Sequence, residues 1–266
     1  MSEALCLRCL ISTEDFPAAQ HRRSVQASES ADHPVCEWLD IEGVTAVVSS
    51  IDTASYCEKN LQSLPWLTRE AQRHAGIIES YFQQVTTLPV KFGAIFSSRA
   101  VLRSHLSERR ELVQQALTRL QGQAEWDIRI LASEAKMEAV AIEGGFVSED
   151  RVAVTASGEG LSYLLRRRRE QQLQHAAQTA CASLRREISD RLSAWSLHRK
   201  ATSDRLPERD GLRLVDHVCA MLPAADYPRL EQSLVTLQEA HADCLLKVEL
   251  SGPWPPYHFC PDFRAS

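Results

Sequence analysis

Hydrophobic and polar positions along this chain sort into two kinds of pattern. Residues 3–11 (Glu-Ala-Leu-Cys-Leu-Arg-Cys-Leu-Ile) form a mostly apolar run of strand length, and the polar stretch 12–33 after it reads as a long loop. Val35–Asp40 and Val44–Ile51 predict two strands joined at Ile41-Glu42-Gly43, where a glycine supplies the backbone angle of a tight turn. The period then changes. Leu67, Ala71, His74, Ile78, Tyr81 and Val85 recur at spacings of 4, 3, 4, 3 and 4, which places them on one face of a helix. Pro89 argues against helix continuation, so Leu88–Phe96 reads as a strand and turn, with Ser97 or Ser98 capping the next helix. That helix, about 98–120, carries Leu102, Leu106, Arg109, Val113, Ala116 and Leu120 on one stripe and ends at Gln121-Gly122. Glu125–Leu131 alternates Trp126, Ile128 and Ile130 with Asp127 and Arg129, the mark of a half-buried strand.

This order predicts an α+β unit over residues 1–132, with helices on one face of a sheet in a ferredoxin-like arrangement. A second α+β unit over 133–266 follows. It opens with a short helical or irregular stretch at 133–142 and the loop signals Gly144-Gly145 and Thr155–Gly160. A long helix, about 161–193, has Leu173, Ala177, Ala180, Leu184, Ile188 and Leu192 as its apolar stripe. Strands are expected at Trp195–Ala201, Arg213–Leu222 and Asp243–Leu250, with a helix around 227–240. The closing Pro-Trp-Pro-Pro-Tyr segment is stiffened by its prolines.

Charge narrows the function classes. Residues 1–132 hold 13 basic and 16 acidic side chains, and the whole chain has a net charge of −5. Neither half has the basic footprint of a nucleic-acid binder, so no nucleic acid partner is expected. No apolar run reaches the roughly 18 residues that span a bilayer. Glu3 and Arg8 also disqualify the N-terminus as a signal peptide, so a cytoplasmic location and no membrane association are expected. The eight cysteines are scattered, mostly inside apolar patterns, and read as buried small hydrophobes.

Local chemistry is sparse. Cys6-Leu-Arg-Cys9 has C-x-x-C spacing but lacks a second ligand pair for zinc and the helix start of a redox site. His74 lies on an apolar helical face and reads as a packed histidine. Asp216, His217 and Cys219 are close in sequence, but strand alternation sends Asp216 and His217 to opposite faces. Thr155-Ala-Ser-Gly-Glu-Gly160 precedes a helix, as a phosphate loop would, yet Leu161-Ser162 stands where a Lys-Ser/Thr pair is needed. Trp254-Pro-Pro-Tyr257 reads as packed rather than as a ligand for an adaptor domain. The sharp charge run is Arg166, Arg167, Arg168 and Arg169, either a solvated helix end or a docking face for an acidic protein surface. No catalytic, cofactor or metal site is expected, and the chain reads as a non-enzyme. The alternative is a ligand- or nucleotide-binding module or enzyme built on the ferredoxin-like unit.

Six segments, taken in order, resemble the gas vesicle protein F/L family. They are Ala46–Ser50, Arg73-His74 with its helix, Leu88–Phe96, Glu125–Arg129, Tyr163–Arg167 and Leu250–Tyr257. Asp127 departs from the glycine common there. The resemblance implies a two-domain α/β architecture with a modified ferredoxin-like first unit. It also implies an accessory protein in the formation of gas vesicles, the air-filled protein shells used for buoyancy. The partners it implies are the small hydrophobic major shell protein and other accessory proteins. With them come a cytoplasmic, gas vesicle-associated location and no cofactor.

Overall fold

The structure, a computed structural model, describes residues 3–15, 36–143, 159–200 and 211–261. It is an α+β fold with two sheets. The chain divides into two compact units, one formed by residues up to Glu125 together with Pro253 onward, the other by Trp126–Gly252.

In the first unit, β1 (Glu3–Ser12), β2 (Glu37–Ile41), β3 (Val44–Asp52), β4 (Thr87–Pro89) and β5 (Ile95–Phe96) form a sheet. Its order is β2-β3-β1-β4, with β5 also pairing β1. The β2–β3 hairpin closes on two residues, since Ile41 pairs with Val44. Glu42 (φ 52°) and Gly43 (φ 88°) are both left-handed, as a two-residue turn matching the strand twist requires. Pro89 has no N–H to give, and it sits on an edge strand where none is needed.

β1 contains a bulge. Leu7 pairs with Val48 and Cys9 with Val47, which leaves Arg8 as the extra residue. A bulge re-aims its side chain, and here it turns a guanidinium inward, 2% exposed.

Helix α1 (Leu64–Phe82) starts with Pro65 in its first turn, where the missing N–H costs nothing. It buries Ile77, Ile78 and Tyr81 against Cys9, Ile11 and Val47 of the sheet. The single helix expected over 98–120 is two: α2 (Arg99–Glu108), capped by the Ser98 hydroxyl, and α3 (Arg110–Leu120). Arg109, at φ −110° and ψ 13°, leaves the helical region and breaks the run. Leu102, Leu106, Val113 and Leu120 are buried on both sides of the break, so the apolar stripe passes through it unbroken. Leu117 is buried where the stripe predicts Ala116, which is only half-buried.

The second sheet has the order β7-β8-β6-β9, from β6 (Gln123–Ser133), β7 (Ser196–Arg199), β8 (Leu212–Pro223) and β9 (Lys247–Trp254). The alternation over Glu125–Leu131 does form a strand, but that strand pairs in the second sheet rather than closing the first unit. Trp126, Ile128, Ile130 and Ala132 belong to the second core. Helices α4 (Glu134–Glu143), α5 (Glu159–Arg191) and α6 (Tyr227–Ala240) complete the unit. Leu184 and Ile188 of α5, with Leu230, Leu234 and Leu237 of α6, pack on that core. Among the described residues no helix is long and apolar enough to cross a membrane.

Candidate functional site

Helix α5 has two dissimilar halves. Its C-terminal half packs on the second core through Leu184 and Ile188, both buried. Its N-terminal half carries Tyr163 and Leu164, 59% and 61% exposed, followed by Arg166, Arg167, Arg168 and Arg169, all exposed. Consecutive helical residues advance about 100° each, so the four guanidiniums fan around the axis. One of them, Arg168, reaches a trough of about 790 Å³ bounded by α4, α5 and residues 241–244. Met137 and Val140 of α4, Ala176, Ala180 and Leu184 of α5, and Cys244 give it an apolar floor. At its far end Glu187 accepts from His241 Nε2 at 2.8 Å and from Arg191 Nη2 at 2.8 Å. The His241 hydrogen bond is the main reason the Glu187 carboxyl is held below the usual range. Most of the Thr155–Gly160 loop lies outside the described residues, while Glu159 and Gly160 already belong to α5.

A second polar group lies in the same unit. Asp127 Oδ1 accepts from His217 Nε2 at 2.6 Å, Lys200 Nζ at 3.1 Å and Cys219 Sγ at 3.5 Å. Burial alone would raise the Asp127 carboxyl, but the bonds from His217 and Lys200 outweigh it and hold the group low. Asp216 does leave on another course. Its Oδ1 accepts its neighbour's backbone N–H at 3.0 Å, and its Oδ2 lies 3.1 Å from Arg199 Nη2. Burial pushes the Asp216 carboxyl up, against that arginine. The arrangement differs from a nucleophile relay, in which an imidazole stands between thiol and carboxylate. Here the carboxylate stands between imidazole and thiol, which suits a structural clamp. Asp127→Asn should cost about 1–2 kcal/mol in urea unfolding, because two charge-assisted bonds weaken at a partly exposed position. A cost below about 0.5 kcal/mol would remove the clamp role.

The first unit joins two of the sequence segments. Arg8 Nε donates to Ser49 Oγ at 2.7 Å, and Arg8 Nη1 lies 3.2 Å from His74 Nδ1. His74 Nε2 lies 2.7 Å from the Val90 carbonyl oxygen. Arginine only donates and a carbonyl only accepts, so His74 is the neutral tautomer with its proton on Nε2. Its ring also meets Phe92 edge-on at 5.6 Å. Arg73-His74 and Leu88–Phe96 are thus one structural device rather than a reactive site. Arg8 and Ser49 complete it, and the only sequence sign of them is an arginine inside an apolar strand run. Cys6 and Cys9 are both buried and unbridged, and burial raises the Cys6 thiol, which keeps it protonated and unreactive.

The closing segment returns to the first unit. Pro255 and Pro256 are buried, which withdraws them as a ligand for an adaptor domain. Tyr257 packs on the cluster of Cys9, Val47, Ile78 and Tyr81. Glu125, 3% exposed, accepts from the His258 backbone N–H at 2.9 Å, and its other oxygen lies 2.6 Å from His258 Nδ1.

Known proteins are similar to this chain in fold and in sequence. The crystal structure of the gas vesicle protein GvpF from Anabaena superposes with a TM-score of 0.69 at 14% identity, covering 98% of this chain and 99% of that one. The corresponding protein from Microcystis aeruginosa gives a TM-score of 0.56, also at 14% identity, covering 96% and 98%. At that identity the likeness speaks for the fold. Gas vesicle protein L of a Streptomyces species is 25% identical over 83% of this chain and 80% of its own length. Gas vesicle protein L1 of Halobacterium salinarum is 23% identical over 98% of this chain and 92% of its own. The profile described as gas vesicle synthesis protein GvpL/GvpF matches residues 9–261, and the chain belongs to that family.

Proposed function

We propose that this protein is an accessory factor in gas vesicle formation. In this reading it binds the major shell protein and other accessory proteins and assists nucleation or assembly of the shell. It works in the cytoplasm in association with the vesicle. Beyond family membership, the observation that carries the reading is the exposed half of α5. It presents Tyr163, Leu164 and four arginines to solvent rather than to the unit's own core. Shell subunits of a hydrophobic protein present apolar surface before assembly, and such surface aggregates unless it is covered. A binding protein with apolar side chains beside fixed positive charge can cover it reversibly.

The test is co-expression of the tagged chain with a major shell protein, followed by capture of a soluble complex. Replacing Arg166, Arg167, Arg168 and Arg169 together with glutamate should lower the captured shell protein at least ~10-fold, since like charge across an interface costs several kcal/mol. All four side chains are exposed, so the melting temperature should stay unchanged. Undiminished capture by the folded variant would remove the arginines from the interface. Failure of the unaltered chain to capture shell protein would remove the shell from its direct partners.

A further inference from the structure

We infer that the trough along α5 receives an amphipathic helix of a partner protein, with the partner's carboxylates lying against Arg168. This rests on the reading that the protein binds other gas vesicle components, and it names where and by what chemistry.

Shape comes first. The lining runs along α5 from Arg168 to Glu187, about 28 Å at 1.5 Å per residue. A volume of about 790 Å³ lies along that length. An elongated trough of this kind fits one ridge of side chains on a second helix.

Chemistry comes second. The α5 wall carries the small residues Ala176, Thr179, Ala180 and Ser183 near its middle, which lets a second backbone come close. Met137, only 5% exposed, and Val140, 41% exposed, supply apolar contact from α4.

Charge comes third and gives direction. Glu187 is already met by His241 and Arg191. Among the described residues Arg166, Arg167, Arg168 and Arg169 form no ion pair. The unmet charge is positive and sits at one end, so the complementary helix is acidic at the end that lies there.

The test uses two synthetic helical peptides of about 18 residues, long enough to follow the trough. Both carry the same leucine ridge; one ends in three glutamates and the other in three lysines. Binding to the full chain is read by fluorescence anisotropy. The acid-ended peptide should bind at least ~10-fold tighter than the base-ended one. Arg168→Glu should cut its affinity at least ~10-fold and improve that of the base-ended peptide. Thr179→Trp fills the trough from an exposed position and should weaken both. Equal binding of the two peptides, no binding of either, or indifference to Thr179→Trp would overturn the inference. The same variants are run through shell-protein capture. Capture without peptide binding overturns the trough and leaves the proposed function. Peptide binding without capture removes the shell protein from the direct partners and leaves the trough.

Discussion

Acidification from pH 7 to pH 4 should cost the first unit about 3 kcal/mol through His74 alone. Burial and the facing Arg8 lower the His74 pKa from 6.5 to about 4. The unfolded chain therefore takes up a proton near pH 6.5 that the folded chain refuses. Stability rises with pH wherever the unfolded state binds more protons, so it falls as pH drops from about 6.5 to about 4 and then levels off. The physical cause is visible in the geometry. A protonated Nδ1 would place a hydrogen and a charge against a guanidinium 3.2 Å away, at a site 3% exposed. Glu70 is the nearby carboxylate that also raises Cys6 and Tyr56, and it already pairs with Arg73 at 3.0 Å. His74→Gln isolates the effect. Glutamine can accept from Arg8 and donate to Val90 without titrating, at a neutral-pH cost of about 1–2 kcal/mol. Urea unfolding at stepped pH should then show a flatter loss between pH 6.5 and pH 4 in the variant. Parallel curves would mean that His74 titrates normally. Asp127 and Glu187, whose carboxyls are held low, act in a lower window, below about pH 4, where they lose their stabilising charge.

This network also marks where sequence reading stops. Periodicity identified α1, its buried face and His74 as a packed residue, because neighbours three and four apart carry that signal. It did not identify Arg8 as His74's partner, 66 residues away, because no local pattern encodes a bulge that turns an arginine inward. The break at Arg109 was hidden for a related reason. The buried positions on either side stay in phase, so a straight helix and a broken one predict the same stripe. The alternation over Glu125–Leu131 identified a strand but not its sheet, since pairing depends on β8 and β9 about a hundred residues on. The Arg166–Arg169 run was legible as a charge run. The trough that Arg168 enters was not, because its other walls come from Met137, Val140 and Cys244. What identified the family was order along the chain. His74 and the 88–96 segment show how segments that are weak singly come to sit together in one device.

Shortening Tyr257 to alanine should cost the first unit about 3 kcal/mol, the usual range for emptying an aromatic site in a packed cluster. Tyr257→Phe should be neutral or stabilising by up to about 1 kcal/mol. The two variants separate the ring from its hydroxyl. The ring packs on Cys9, Val47, Ile78 and Tyr81, so its loss leaves a cavity. The hydroxyl is buried and has no hydrogen-bond partner among the described residues, so its removal sheds a desolvation penalty. Burial, with Glu79 close by, raises the phenol well above its ordinary value, which keeps it neutral throughout. Holding the ring there are the Glu125–His258 pair and the contact between Arg119 and the Phe259 carbonyl. A local readout accompanies the global one. Cys260 donates to the Pro256 carbonyl at 2.9 Å, and burial pushes its thiol up to about 12. Its alkylation at pH 8 is therefore slow while the segment is seated. Tyr257→Ala should speed that alkylation at least ~10-fold, because local opening then needs less free energy, and Tyr257→Phe should leave it unchanged. Cys57, which is exposed, serves as the internal reference. Equal Cys260 rates in all three proteins would mean that the aromatic ring does not hold the segment down.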